Sequence, residues 1–374
     1  MKRVLHVIGA MDRGGAESLI MNVYRTIDRN ALQFDFLVHT EKKCDFDDEI
    51  ASMGGRILRL EKFNGMNFSK YKEACRSLFS KYGSHYTAVH VHIGSCAPIV
   101  LAEARRKGLY TIVHSHNTKS SLSFPEIAFR VVSFPTRFMA DAYLACSLQA
   151  GIDRFGKKVT KGDSFAVLKN GIQTFNFSYS EKMRRDKRHE LGLPENAIVF
   201  GHVGRFSEQK NHRFLIDVFS NIHAKMHNAY LLLIGRGELE DKVRAKVHSC
   251  GLDDHVFFLG VREDIPALMM SMDCFIFPSV WEGFGMVAIE AQASGLPCLL
   301  SSALPKEVFV LDSSKSLSLG DGCEKWANVA IETCRYAPLD RAKGASAIKR
   351  AGFDIEETSR WLVNLYEKHE FLKI

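Results

Sequence analysis

From Cys274 to Pro297 the chain reads as a buried strand, a glycine turn and a helix, and this stretch narrows the possible folds more than any other. Cys274-Phe-Ile-Phe277 is an apolar run stopped by Pro278. Gly283 and Gly285 make the turn, and Met286 to Ala293 reads as a helix ended by Gly295 and Pro297. Strand, glycine turn and helix in that order aim free backbone N–H groups at an anion, usually a phosphate. Glu282 in the turn and Glu290 on the helix frame the stretch. A phosphate repels carboxylates, so these two suit ribose hydroxyls or a sugar ring. The plainer reading is an ordinary strand–helix connection with surface glutamates.

The same pattern recurs along the chain. Residues 4–10 read as the first strand, followed by the loop Met11-Asp-Arg-Gly-Gly-Ala-Glu17 and an apolar-periodic helix from Ser18 to Thr26. Gly14 and Gly15 permit a tight turn at the strand's C-terminal end, where open α/β sheets bind ligands. Further strand signals fall at 34–39, 56–60, 88–92, 111–114 and 142–146, with helical segments between most of them. A second series follows at 198–203, 230–234, 256–259, 274–277 and 298–300. Strands alternating with helices predict an α/β fold of two doubly wound, mostly parallel sheets. Thr174 to Glu195 is charge-rich and lacks sustained periodicity, so it reads as the linker. The expected domains are 1–172, joined by a returning amphipathic C-terminal helix within 353–374, and 173–352.

Composition excludes several classes. A chain of 374 residues with 46% hydrophobic and 25% charged residues can bury a sizeable core. No apolar run approaches the ~20 residues that span a bilayer. Met1-Lys-Arg before Val4 to Ala10 resembles a signal peptide, but His6 interrupts the run and Asp12-Arg13 follows it, so a first strand is expected. The nine cysteines show no C-x-x-C pair, which fits reduced thiols in a cytoplasmic protein. Residues 1–172 carry 25 Lys/Arg against 16 Asp/Glu, and the remainder 25 against 27. A basic first half suggests an anionic partner there, against the plainer reading of a solvated surface.

Two more turns resemble phosphate sites. Val203-Gly-Arg-Phe-Ser-Glu-Gln-Lys-Asn211 places Gly204, Arg205 and Lys210 just after a strand, and Gly235-Arg-Gly237 closes another. A guanidinium fork and a point charge on one loop suit a diphosphate. Three such turns in one parallel sheet open at the same edge.

With these motifs in order, the chain resembles the retaining glycosyltransferases of family 4, which have the GT-B architecture of two facing Rossmann-like domains. Gly14-Gly-Ala-Glu17, the Arg205/Lys210 segment, the E-x7-E from Glu282 to Glu290 and Asn170-Gly-Ile172 at the crossover carry the resemblance, which spans essentially the whole chain. It implies a retaining hexosyltransferase that moves a hexose or N-acetylhexosamine from a nucleotide sugar, UDP-linked by preference, to a saccharide or lipid-linked saccharide. It also implies a role in surface polysaccharide or glycoconjugate synthesis, with no further cofactor.

Arg205 and Lys210 would neutralise the diphosphate. Gly283 and the Phe284-Gly285-Met286 backbone would take the distal phosphate and the sugar. Glu290 would hold the ribose, and Glu282 would sit near the sugar. Gly14, Gly15, Gly204 and Gly235 complete the donor site, and Phe258-Leu-Gly-Val261-Arg262 would lie against the nucleobase. His114, with His116 in reserve, falls where the family places an active-site histidine, although a lone histidine is more often structural. The motifs divide between the halves, so the reaction centre is expected between them.

In such enzymes the leaving phosphate can take the acceptor's proton. Arg205, Lys210 and a helix N-terminus supply the charge that a divalent ion would, so no metal is expected. Asp45-Phe-Asp47 spells the D-x-D of metal-dependent transferases, but it lies far from the other motifs in sequence and is read as coincidence. The aromatic stretch Ser123 to Met139, with Arg130 and Arg137, fits core packing or peripheral contact with the inner face of the plasma membrane. No nucleic-acid partner is expected. A nicotinamide dehydrogenase is disfavoured, because Gly9 is followed by Ala10-Met11-Asp12 and Gly235-Arg-Gly237 has Glu240 where a third glycine belongs. A sugar-nucleotide epimerase of the same architecture is the nearer rival. A purely binding role would leave these polar turns idle.

Overall fold

The computed structural model describes residues 2–116, 131–335 and 341–371. It contains two compact units, residues 1–172 with 355–374, and residues 173–354. In the first, β1 (Lys2–Val7), β2 (Leu32–Val38), β3 (Ile57–Arg59), β4 (Ala88–Val91), β5 (Tyr110–Ser115), β6 (Ala142–Ala145) and β7 (Phe165–Val167) form one parallel sheet in the order β3-β2-β1-β4-β5-β6-β7. The chain winds outward one way from β1 and then, from β4, the other way. This doubly wound order leaves a crevice at the C-terminal ends of β1 and β4.

The strands are apolar on both faces because helices cover both. Val4, Phe34, Phe36 and Val38 pack into one buried cluster, whereas their neighbours Leu5, Val7 and Leu37 pack into another. Period-2 alternation thus sorts one apolar run between two cores. The C-terminal helix Ile355–Lys368 returns to this unit and inserts Trp361, Leu362, Leu365 and Tyr366 into the first cluster. Its first residue is pinned where the Ile355 N–H donates to the Ile172 carbonyl at 2.9 Å.

The second unit repeats the plan with β8 (Ile198–Val203), β9 (Ala229–Ile234), β10 (Val256–Gly260), β11 (Cys274–Phe277), β12 (Cys298–Ser301) and β13 (Ser314–Leu317), all parallel in the order β10-β9-β8-β11-β12-β13. Its crevice lies at the ends of β8 and β11. Phe200, Leu231, Leu233 and Ile276 pack with helix His212–His223 and the buried Trp326.

Three elements differ from the sequence reading. The stretch read as a linker contains the helix Glu181–Glu190, which buries no residue and therefore leaves no periodic trace. Polar contacts hold it in place. The Ser180 hydroxyl accepts from the Met183 N–H, Arg184 pairs with Asp273 at 2.6 Å, and Lys187 pairs with Asp264 at 2.7 Å. The short edge strands β7 and β13 were also not foreseen, because neither buries a single residue fully.

Candidate active site

Four loops meet at the C-terminal edge of the second sheet, and backbone hydrogen bonds lace them together. The Gly204 N–H donates to the Ile234 carbonyl at 2.9 Å, and the Gly235 N–H to the Gly260 carbonyl at 2.8 Å. Gly235 has φ +135°, and a Cβ there would collide with the Gly204 carbonyl, so only glycine lets these two strand ends approach. Across the crevice the Val280 N–H donates to the Gln209 carbonyl at 2.8 Å, and the Gln209 side chain donates to the Trp281 carbonyl at 3.0 Å.

Lys210 and Glu282 meet in that crevice. The ammonium lies 2.5 Å from Glu282 Oε1 and 4.7 Å from the centre of the Phe277 ring, with the two side chains only 16% and 7% exposed. Arg205 instead reaches outward. Its side chain is 74% exposed and lies 3.2 Å from the also exposed Glu238, so this pair holds it loosely.

Helix Met286–Ala293 begins beside this pair. Its N-cap, Gly285, is left-handed at φ +92°, and no side chain caps its first turn. The uncapped N–H groups and the macrodipole favour an anion there. Phe284 anchors the turn from below, buried and 5.5 Å from Phe353. The carboxyl of Glu290, one helical turn in from that N-terminus, has no hydrogen-bond partner among the described residues, whereas its carbonyl accepts from Ser294. Desolvation raises its pKa to about 7. Val261 is about half exposed. The Arg262 side chain is committed to Asp264 by two hydrogen bonds of 2.7 Å, so this segment offers a base its backbone rather than a guanidinium.

In the first unit, Gly14 caps helix Gly15–Thr26 without a side-chain bond, and Gly15 has open space around it. The Glu17 carboxylate folds over Gly14, and burial raises its pKa. Asp45 is near this loop in space, although far from it in sequence, and accepts from the Arg13 N–H at 3.0 Å. Asp47 accepts from the Cys44 N–H at 3.0 Å and pairs with Arg59 at 2.6 Å. Both carboxylates of the D-x-D therefore have structural work.

His114 is the last residue but one of β5 and does not stand alone. His6 on β1, His90 on β4, His92 just beyond it, His114 and His116 stack along one face of the sheet, with neighbouring ring centres 4.0 to 5.6 Å apart. His6 Nδ1 lies 3.1 Å from His92 Nε2, and His92 Nδ1 lies 2.8 Å from His116 Nε2. The Tyr366 hydroxyl is 2.7 Å from His90 Nδ1. Burial lowers all five pKa values, that of His6 to about 3 and that of His116 to about 4, which keeps the imidazoles neutral at pH 7.

His6, His90 and His92 were missed from sequence as functional candidates. The signal was present in His90-Val-His92 and His114-Ser-His116, which set paired histidines on one strand face.

Of the aromatic stretch before β6, Ser123 to Arg130 lie outside the described residues. The remainder exposes Val131 (70%), Phe134 (52%) and Phe138 (70%), with Arg137 stacked 5.0 Å over Phe134. Core packing does not account for these side chains. No helix among the described residues is long and apolar enough to cross a membrane.

Comparison with known proteins agrees with this geometry. Residues 183–315 match the family described as glycosyl transferases group 1. The chain is 31% identical over 370 residues to a Bacillus subtilis (strain 168) protein that carries the name glycosyltransferase EpsF, covering 98% of this chain and 96% of that one. It is 26% identical over 250 residues to the Escherichia coli UDP-Gal:alpha-D-GlcNAc-diphosphoundecaprenol alpha-1,3-galactosyltransferase, covering 63% of this chain and 64% of that one. Among solved structures, Anabaena Alr3699/HepE in complex with UDP-glucose superposes with a TM-score of 0.76 at 20% identity, covering 98% of this chain and 100% of that one. That likeness establishes the fold as GT-B, with two Rossmann-like domains.

Proposed function

The chain belongs to the glycosyl transferases group 1 family, and we propose that it transfers a hexose or N-acetylhexosamine from a UDP-sugar to a saccharide or lipid-linked saccharide acceptor, with retention of configuration and without a catalytic metal. The observation that carries the proposal is the β8/β11 crevice. Its rim holds an outward arginine, a lysine paired with a buried glutamate and an uncapped helix N-terminus.

A diphosphate entering this space finds Arg205 free to swing onto it. Lys210 can exchange Glu282 for phosphate oxygens, which releases the Glu282 carboxylate toward the sugar hydroxyls. As the sugar–phosphate bond breaks, negative charge grows on the leaving oxygen, where the Lys210 ammonium, the Arg205 guanidinium and the helix N–H groups stabilise it. These groups perform electrostatically what a divalent ion performs elsewhere. The Glu290 carboxyl, with no partner of its own, accepts from the ribose hydroxyls. The leaving phosphate accepts the acceptor's proton. His114, at the edge of the other unit, serves the acceptor side.

Three findings support the finer choices. The solved structure described above holds UDP-glucose, which favours UDP as the carrier. The E. coli relative's name pairs a UDP-sugar with a diphosphoundecaprenol-linked sugar, which favours a lipid-linked acceptor in polysaccharide-type synthesis. The exposed Val131, Phe134 and Phe138 beside Arg137 fit a protein resting on the inner face of the plasma membrane. The relatives described above do not favour the epimerase alternative.

The test is UDP release from a panel of UDP-sugars, with and without membrane extracts as acceptor, in the presence of EDTA, and with NMR of the product's anomeric proton. Acceptor-dependent release with retained configuration is expected. UDP release that yields free epimerised sugar and no glycosylated product would overturn the proposal.

A further inference from the structure

The histidine stack of the first unit carries more than one active-site residue requires. We propose that His92, His114 and His116 form a binding site for a nitrogen-preferring transition-metal ion such as Zn2+, and that loading it withdraws His114 from sugar transfer. One nitrogen from each of the three rings lies within 4.8 Å of the others. His114 is 4% exposed, and neither of its nitrogens has a hydrogen-bond partner. His116 Nδ1 is likewise buried without a partner. Buried ring nitrogens are costly to leave unsatisfied, and a metal would satisfy one of the two on His114.

A small cavity gives the ion room. About 60 Å³ of space is bounded by His92, His114, Ser115, His116, Thr136 and Arg154, enough for an ion and one or two small ligands. No carboxylate lines it among the described residues. A neutral imidazole set without oxygen anions suits Zn2+, Ni2+ or Cu2+ and disfavours Mg2+ and Ca2+. The Arg154 guanidinium on the wall favours an anion, such as hydroxide or chloride, as the fourth ligand.

The stack also supplies the supporting shell that such sites need. If His92 Nε2–H donates to His6 Nδ1, at 3.1 Å, the lone pair of His92 Nδ1 is left facing His116. An ion entering there replaces the proton now shared between His92 Nδ1 and His116 Nε2. That proton moves to His116 Nδ1, so no net charge is lost from the ring. The two nitrogens must part from 2.8 Å to about 3.3 Å, the separation set by tetrahedral Zn–N bonds of about 2.0–2.1 Å.

The inhibitory half of the proposal rests on the role given above to His114, whereas the binding half does not. The full chain, freed of metal with EDTA and desalted, is titrated with Zn2+ by calorimetry and with Co2+ by visible absorption. One ion per chain is expected, with four-coordinate Co2+ bands and no response to Mg2+. His92→Gln should weaken Zn2+ binding by about 100-fold or more, at least the upper end of what loss of a supporting hydrogen bond costs. The same variant should keep its basal transfer in EDTA, and His92→Asn serves if it folds poorly. No Zn2+ binding at 100 µM (about the weakest affinity of interest for a three-histidine site), or binding unchanged in a folded His92 variant, overturns the site. Binding that depends on His92 yet leaves transfer untouched keeps the site and overturns the role given to His114.

Discussion

The two units share one winding order and present opposite chemistry at the same place. At the edge of the second, charge is set against charge, with Lys210 held by Glu282 and Arg205 beside Glu238. At the edge of the first, five neutral imidazoles stack on and just beyond β1, β4 and β5. Winding order decides where a parallel sheet opens, because connections leave both sides of one strand pair there. The side chains that happen to end those strands decide what the opening does. A charged edge receives an anion, whereas a neutral, desolvated one keeps a proton or a metal ion under control.

The largest effects should come from the two edges' leading residues. Arg205→Ala removes a transition-state contact from a solvated side chain, so kcat/KM should fall about 100-fold, near 3 kcal/mol, with no change in Tm. Lys210→Ala should cost as much activity and also lower Tm, because it leaves the Glu282 carboxylate buried without its partner. Steady-state kinetics beside thermal melts would separate the two. Equal Tm for both variants would break the distinction between a loose and a buried charge.

His114→Asn tests the other edge. Loss of a side chain that positions the acceptor can cost about 100-fold in rate, and a fall of about that size in kcat with UDP affinity unchanged is expected. Weakened UDP binding in this variant would assign His114 to the donor instead.

A smaller effect should appear with pH. Burial raises Glu290 from its ordinary 4.5 to about 7, and only its ionised form can accept from both ribose hydroxyls. UDP affinity should therefore weaken below pH 7, by up to about tenfold per unit. Glu290→Gln should bind less tightly but lose this dependence, as calorimetry would show. The stability sign is opposite. A carboxyl whose folded pKa is raised favours the folded state fully below pH 4.5 and loses that contribution as pH rises to 7. The Gln variant should thus show a flatter Tm across that window.

The smallest contrast lies in two glycines. Gly285→Ala forces an alanine to φ +92°, with its Cβ 3.1 Å from Leu304, and should cost about 1–2 kcal/mol. Gly15→Ala meets open space at an ordinary φ, and its stability should change by no more than about 0.5 kcal/mol. Denaturant melts of both variants would show whether the strain lies only at the phosphate-facing turn.

The charged edge was more legible in sequence than the neutral one. Arg205, Lys210, Glu282 and Glu290 sit within short glycine-bearing motifs, and each motif is one continuous strand, turn and helix. The Lys210–Glu282 pair was not legible, because 72 residues separate its partners and only the β8/β11 adjacency joins them. The imidazole stack was hidden for the same reason: its members lie on and just beyond three strands, and His6 reads alone as an interruption of an apolar run. Helix Glu181–Glu190 escaped because its stabilising contacts are with Asp264 and Asp273, far along the chain.

What the sequence determined by itself was therefore local: runs apolar on both faces, turns that need glycine, and helices started and stopped by cap residues. From these follow two parallel sheets and the edge at which each opens. The tertiary structure alone decided which side chains from separate strands share one desolvated space. With them it decided which charges are paired, which imidazoles stay neutral and which carboxyl holds its proton near pH 7. Those properties depend on distance and on water excluded from all sides, and neither is set until the strands have taken their places in the sheet.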